Sequence, residues 1–282
     1  INAWRPVRLL KKMQDIGILA AFGSDMLRLG VIKIFADGSM GAGSALFFDP
    51  YTDDLSTAGI AIYPEDELIK LVVDADRAGL QVAVHAIGDK ANHWVLNAFQ
   101  KAREKNPDGQ NRRHRIEHAQ VIIPEDVIRF KDLDIVASVQ PSHCIDDMKW
   151  AEKRIGDRVK QAFLWKSFLK NDVRLAFGTD WPVAPLNPFI TLYAAVARKP
   201  LDGEPQSDWF EQEKLSIEKA IECYTIGSAF VEYAENAKGS LELGKYADIV
   251  VLSQNPLKIE PHQLLKTEVL YTIMNGKIVY KR

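Results

Sequence analysis

The sequence predicts an α/β fold in which the strands of a parallel sheet alternate with helices, followed by a small all-β module. Short apolar runs alternate with helical patterns, an order typical of βα units in a parallel sheet. Five runs are predicted strands: 31–36, 81–85, 114–118, 134–139 and 175–179. Beyond residue 236 strand patterns replace helical ones, which predicts a first domain over 1–236 and a second, smaller one over 237–282.

Composition and charge exclude several classes of protein. The 36 basic and 38 acidic residues give a net charge of −2, which is too balanced to indicate nucleic acid or an anionic membrane as a partner. No apolar run approaches the roughly 18 residues that a membrane span needs, and no signal peptide is visible. Two distant cysteines, Cys144 and Cys223, do not make a disulfide framework, so we expect a cytoplasmic protein.

The helical segments carry recognisable start and stop signals. Residues 5–20 have helical spacing with basic side chains on one side. Residues 64–79 begin at a proline followed by acidic residues, keep apolar residues at helical spacing and end at Gly79. The segments 90–104 and 124–134 repeat this pattern. Two further helices are predicted near 189–198 and 216–227.

The carboxyl-terminal module has a different character. Residues 247–253 read as a strand, and residues 269–282 read as two strands joined by Asn275-Gly276. Asn-Gly between two such runs is the strongest short-range signal for a β-hairpin. The tail is therefore predicted to be all β.

Three predicted strands end on, or are followed directly by, a residue that can bind a metal ion: His85, His118 and Asp180. Because the carboxyl ends of barrel strands form the catalytic face, we expect these side chains to converge. Imidazole and carboxylate groups are ligands of Zn²⁺ and similar divalent ions, which lower the pKa of bound water to about 7. Asp180 can both bind the metal and accept the proton of that water. Taken singly, each histidine could instead be a satisfied core or loop residue, and Asp180 could cap the next turn.

Lys33 interrupts an apolar strand run. A lysine on an edge strand could reach water with its ammonium group. A lysine at low dielectric instead loses its proton easily, and carbon dioxide could then convert it to a carbamate that bridges two metal ions. The sequence leaves both possibilities open.

Five motifs in this order resemble the amidohydrolase superfamily: VIKIFADGS, VAVHAIGD, RIEHAQ, FGTDWPV and GSLELGKYADIVVL. The likeness covers nearly the whole chain and is greatest to metal-dependent hydrolases similar to N-substituted formamide deformylases. It implies a TIM-type (β/α)₈ barrel, of which this chain holds the five or so carboxyl-terminal βα units, plus part of a small β-sandwich.

The resemblance also implies a site. His85 matches the metal ligand after strand five, His118 the ligand after strand six, and Asp180 the catalytic aspartate after strand eight. Lys33 matches the strand-four position, which is a carboxylated lysine in relatives with two metals. Arg115, Gln140 and His143 fall near the mouth of such a barrel, as expected substrate contacts. The implied cofactor is one or two divalent ions, with Zn²⁺ expected. The implied reaction is hydrolysis of an amide or other C–N bond of a small molecule.

The chain departs from the superfamily pattern in one respect. The His-x-His pair expected after strand one has no counterpart, since none of the six histidines precedes residue 85. Strands one to three and the first half of the β-sandwich are also missing. With Ile as residue 1, we expect the chain to be the carboxyl-terminal part of a longer one. A second copy or the missing part of the barrel would then be its partner.

Two other functions compete with this interpretation. A non-catalytic relative could keep the fold as a binding or scaffold protein, although a scaffold has no need for ligands at three strand ends. A metal-free barrel enzyme could use His85 and Asp180 as acid and base. A metal assay separates both from the metal-dependent hydrolase.

Overall fold

The computed structural model describes residues 1–109, 111–202 and 209–282. Contacts between residues group the chain into two compact units. The first comprises residues 1–139 and 149–175, and the second comprises residues 140–148 and 176–282. The domain boundary predicted at residue 236 stays a prediction.

The regular elements alternate as the sequence predicts for most of the chain. The strands are β1 (Asn2–Pro6), β2 (Arg28–Phe35), β3 (Gln81–Ala86), β4 (Arg115–His118), β5 (Val136–Val139), β6 (Leu175–Phe177), β7 (Ile249–Leu252), β8 (Val269–Met274) and β9 (Lys277–Lys281). The α-helices are α1 (Leu10–Asp15), α2 (Glu65–Arg77), α3 (Asp89–Lys105), α4 (Pro124–Asp132), α5 (Pro141–Asp147), α6 (Ala151–Ile155), α7 (Trp165–Lys170), α8 (Pro188–Ala197), α9 (Ile217–Glu222) and α10 (Ser228–Val231). A π-helical turn, Cys223–Gly227, joins α9 to α10.

The strands β1 to β5 lie in the first unit and belong to a six-stranded sheet with the order β1 to β6. Each pair of neighbours from β1 to β5 is parallel. β6 begins at Leu175, the last residue of this unit. The carbonyl of the preceding residue, Arg174, accepts a hydrogen bond from the Ala137 N–H of β5 at 3.0 Å. The α/β class and the parallel sheet are thus confirmed.

One strand and one helix differ from the prediction. Residues 2–6 form β1, which pairs with β2, so the sheet has a strand before the Lys33 strand that was not among the five predicted. The helix predicted over 5–20 is confined to residues 10–15, preceded by a 3₁₀ turn at Val7–Leu9. Only Met13 is buried in that helix, so little apolar contact is available to lengthen it.

The helices of the first unit form for the reasons that the sequence gives. α2 has three acidic residues in its first turn and Arg77 in its last, as the helix dipole favours. Its buried face contains Leu68, Val72 and Ala75, at helical spacing. Gly79 follows with φ +77°, a conformation that suits glycine and ends the helix.

The second unit contains the helices α5, α8, α9 and α10 and an antiparallel sheet with the order β7-β8-β9. The Asn187 side chain caps α8 by accepting the Phe189 N–H at 3.0 Å. The predicted hairpin is confirmed: Asn275 and Gly276 both have positive φ, and Met274 pairs with Lys277. The all-β character of the tail is therefore confirmed.

Over residues 1–109, 111–202 and 209–282, no helix is both long and apolar enough to cross a membrane.

Candidate functional site

One face of the first unit's sheet is polar. Lys33, Ala83 and Arg115 lie side by side on β2, β3 and β4. Two residues further along these strands, Phe35, His85 and Glu117 form a second row. Ser138 extends that second row on β5. The alternate residues of the same strands, such as Ile32, Ile34, Val82, Val84 and Ile116, are apolar and fully or almost fully buried. Because side chains alternate between the faces of a sheet, Lys33 and His85 share the polar face.

His85 is held by acceptors at one ring nitrogen. Its Nε2 lies 2.8 Å from the Gly38 carbonyl oxygen and 3.4 Å from Asp37 Oδ1. A carbonyl can only accept, so Nε2 carries the proton and the lone pair is on Nδ1. Burial lowers the pKa of His85 to about 4, with the Gly38 bond raising it and the charge of Lys33 lowering it. At neutral pH the ring is therefore the uncharged imidazole that a metal ion needs.

Asp37 is a buried carboxylate in the loop after β2, and sequence reasoning missed it. It accepts backbone N–H groups from Leu46 at 2.9 Å, Gly88 at 2.9 Å and Ile87 at 3.1 Å. Burial raises its pKa to about 7, and these hydrogen bonds oppose the rise. Its place just after a strand, in the DGS sequence, is the only signal that could have drawn attention to it.

His118 reaches the polar face through its backbone conformation. Side chains alternate between the two faces of a strand, and Arg115 and Glu117 lie on the polar face, so His118 would be expected on the apolar face. Its positive φ of +74° changes the direction of its side chain. Its ring centroid lies 4.5 Å from that of His85, with the rings at 74°. A positive φ in a non-glycine residue carries strain that is often found at functional sites. Two imidazoles from neighbouring strand ends are thus brought together.

Lys33 lies between two aromatic rings. Its Nζ is 4.9 Å from the centroid of Phe35 and 5.5 Å from that of Trp4. β2 lies between β1 and β3, so Lys33 is not on an edge strand. The lysine is half-buried and close enough to His85 to affect its pKa.

Arg115 and Glu117 form a buried ion pair on the same face. Arg115 Nε lies 2.8 Å from Glu117 Oε1, a close contact of charges rather than a well-aligned hydrogen bond. Ser138 donates its hydroxyl to Glu117 Oε2 at 2.8 Å. The Arg115 guanidinium carbon lies 4.1 Å from the centroid of the Trp4 ring. Glu117 was missed from the sequence, although its alternation with Arg115 could have revealed it, and a role for Arg115 in substrate binding stays a prediction.

The second unit holds Gln140, His143 and Asp180. Gln140 precedes α5, and His143 lies in the first turn of that helix. Asp180 follows β6 with φ +59°. Burial lowers the pKa of His143, and the charges of Asp180 and Asp146 oppose the fall. A ring nitrogen of His143 and a carboxylate oxygen of Asp180 lie within 4.8 Å of each other.

Within the first unit the structure brings Lys33, His85 and His118 together. Within the second unit it brings His143 and Asp180 together. The convergence of both sets on one metal ion stays a prediction. The donor set in the first unit suits a divalent ion, since a neutral imidazole with its other nitrogen held by a carbonyl is the usual form of a metal-binding histidine.

Comparison with known proteins decides the family. The sequence pattern of the amidohydrolase family matches residues 2–280. The chain belongs to the amidohydrolase family. It is 41% identical over 285 residues to "Protein LONG AFTER FAR-RED 3" of Arabidopsis thaliana, covering 99% of this chain and 47% of that protein.

A relative whose name states an enzyme activity and a solved structure both agree with this family membership. The "N-substituted formamide deformylase" of Arthrobacter pascens is 28% identical over 266 residues, covering 92% of this chain and 47% of the relative. The crystal structure of an uncharacterized metal-dependent hydrolase from Pyrococcus furiosus is 36% identical with a TM-score of 0.79, covering 91% of this chain and 51% of that one. The resemblance seen in the sequence is confirmed, and the chain spans about half the length of the relatives it matches.

Proposed function

We propose that this amidohydrolase is a metal-dependent hydrolase that cleaves an amide or other C–N bond of a small molecule. The observation that carries the proposal is the His85–His118 pair at neighbouring strand ends, with His85 held through Nε2 so that Nδ1 is the metal-binding atom. Membership of the amidohydrolase family supports it.

His85, His118 and Asp180 would hold the metal ion, with Lys33 as a further ligand if it is carboxylated and two ions bind. Neutral imidazoles, a carboxylate and a carbamate are the donors that Zn²⁺ accepts. A divalent ion bound there would supply the Lewis acidity that makes water reactive near neutral pH. Asp180 would take the proton of the attacking water and hold it for the leaving amine. Arg115, Gln140 and His143 would contact the substrate.

We also propose that the six strands are part of a TIM-type barrel. Strands are spaced by about 4.8 Å, so β1 and β4 are separated by roughly 14 Å along the sheet. The Trp4 ring nevertheless contacts the Arg115 guanidinium, which supports a concave polar face. A barrel closes only with further strands beyond these six.

The test is hydrolysis by the intact protein of N-substituted formamides, the substrates named for one relative. Release of the amine and bound metal are measured for wild type and for Asp180→Asn. The amide cannot accept the proton, so we expect turnover to fall by about 10²–10⁴-fold while the protein still folds.

Asp172→Asn is the matched control. Asp172 is exposed and has φ +56°, close to the +59° of Asp180, so the same backbone conformation receives the same substitution. We expect it to keep wild-type turnover. If Asp180→Asn also keeps it on a substrate that wild type hydrolyses, Asp180 is not the base. If wild type binds no divalent ion, the binding or scaffold function is favoured instead.

A further inference from the structure

The carboxylate of Asp37 is fixed in place by three backbone donors. The Leu46 and Gly88 N–H groups bind Oδ2, and the Ile87 N–H binds Oδ1. These donors come from the loop after β2 and from the turn after β3, so one carboxylate joins the two segments that lie on either side of His85. At 1% exposure, Asp37 is closed off from water.

The same carboxylate faces the ring of His85. Oδ1 lies 3.4 Å from His85 Nε2, beside the Gly38 carbonyl at 2.8 Å. Gly38 is the next residue after Asp37, and a Cβ there would lie 2.2 Å from Ser44 Oγ, so its backbone is closely packed. The position of the Gly38 carbonyl therefore depends on the anchoring of its neighbour.

We propose that Asp37 is a positioning residue: together with the Gly38 carbonyl it fixes the tautomer and orientation of His85, so that Nδ1 faces the metal ion. The inference rests on the proposed function, because it concerns a ligand of the proposed metal site. Partners that hold the second nitrogen of a metal-binding histidine set its tautomer and basicity, and their loss typically weakens metal binding about 10–100-fold.

Asp37→Asn is the decisive variant. Its NH₂ group would have to face either Ile87 N–H and His85 Nε2–H or the N–H groups of Leu46 and Gly88. In both orientations donors meet donors. We expect His85 to lose its preference for one tautomer.

The tautomer is read directly in the metal-free intact protein. Ring-¹⁵N-labelled histidine distinguishes a protonated from an unprotonated nitrogen, and His85→Gln identifies the His85 signals. We expect the Nε2–H tautomer alone in wild type and a mixture of tautomers in Asp37→Asn. Titration with Zn²⁺ should then show about 10–100-fold weaker binding by the variant.

Asp89→Asn is the matched control. Asp89 is also a buried carboxylate that ties the same loop to the start of α3, by accepting the Phe48 N–H at 2.9 Å, and no hydrogen bond of the described residues joins it to His85. We expect this variant to lose stability but to keep the His85 tautomer and the Zn²⁺ affinity of wild type.

The outcomes separate the inference from the proposed function. If His85 of the wild-type protein carries its proton on Nδ1, the inference is overturned without any variant. The inference can therefore be tested even if Asp37→Asn does not fold. If Asp37→Asn and Asp89→Asn show the same mixture of His85 tautomers, Asp37 acts only by holding the loop in place, and the inference is overturned as well. If wild type binds no Zn²⁺ while the tautomer results hold, the metal site fails and the positioning of His85 stands.

Discussion

The buried pair Arg115–Glu117 gives a prediction whose size follows from its surroundings. Both side chains are 5% exposed and the charged atoms are 2.8 Å apart. Removing one partner leaves the other charge buried without compensation, which costs about 3–5 kcal/mol. We therefore expect Arg115→Leu and Glu117→Leu each to lower the free energy of unfolding by about 3–5 kcal/mol. The double variant should cost no more than either single one, because two apolar groups leave no charge behind.

The assay is urea unfolding of the intact protein followed by tryptophan fluorescence, with all four members of the cycle at one pH. Lys101 and Glu104 on α3 provide a matched control pair, since their charged atoms also lie 2.8 Å apart but the side chains are 50% and 47% exposed. Leucine at either position should leave the stability almost unchanged, because water screens an exposed ion pair. Additive effects in the Arg115–Glu117 cycle, or single variants as mild as the control, would show that water reaches the pair and would refute the reasoning.

Three further predictions test other parts of the molecule. Burial raises the pKa of Asp76, but His114, Asn106 and Arg112 lower it more, so this pKa lies below the ordinary 3.8. The stability that Asp76 adds should therefore be complete above pH 3.8 and be lost as the pH falls through the lowered pKa. The unfolding curves of wild type and Asp76→Asn should converge at that low pH. A Cβ at Gly88 would lie 2.0 Å from the Leu46 carbonyl oxygen, so Gly88→Ala should cost at least about 1–3 kcal/mol in thermal unfolding, whereas Gly178→Ala, with no atom within 4 Å, should be tolerated. Dialysis against a chelator should abolish hydrolysis, and Zn²⁺ should restore it; full activity in the metal-free protein would contradict the proposed function.

The strands that could be predicted are those whose own residues are apolar. β3 was predicted at 81–85 and is found at Gln81–Ala86, because all of its residues except His85 are buried and the run from Val82 to Val84 is correspondingly apolar. β1 could not be predicted, since Trp4 is its only large apolar side chain and a proline ends it. Its strand conformation depends on pairing with β2, more than twenty residues away in sequence, which no local pattern records.

The candidate site divides in the same way. His85 could be predicted because the strand alternation that buries its neighbours also places it on the opposite face. We expected His118 to converge with His85 because both lie at strand ends, but the sequence does not show how. The alternation of β4 directs the His118 side chain to the apolar face, and its φ of +74° turns it back. Asp37 binds donors from positions 46, 87 and 88, so its role depends on a tertiary arrangement that a single sequence does not contain.

Topology excludes one of the two interpretations of Lys33 that the sequence leaves open, the lysine on an edge strand. A lysine on an edge strand could extend sideways into water, but β2 has hydrogen-bonded neighbours on both sides. Its side chain must therefore lie on a face of the sheet, and register places it on the polar one, in the row below His85. The rings of Trp4 and Phe35 flank the amine there and favour its cationic form. Conversion to a carbamate would have to overcome this preference, which the binding of metal ions beside it could do.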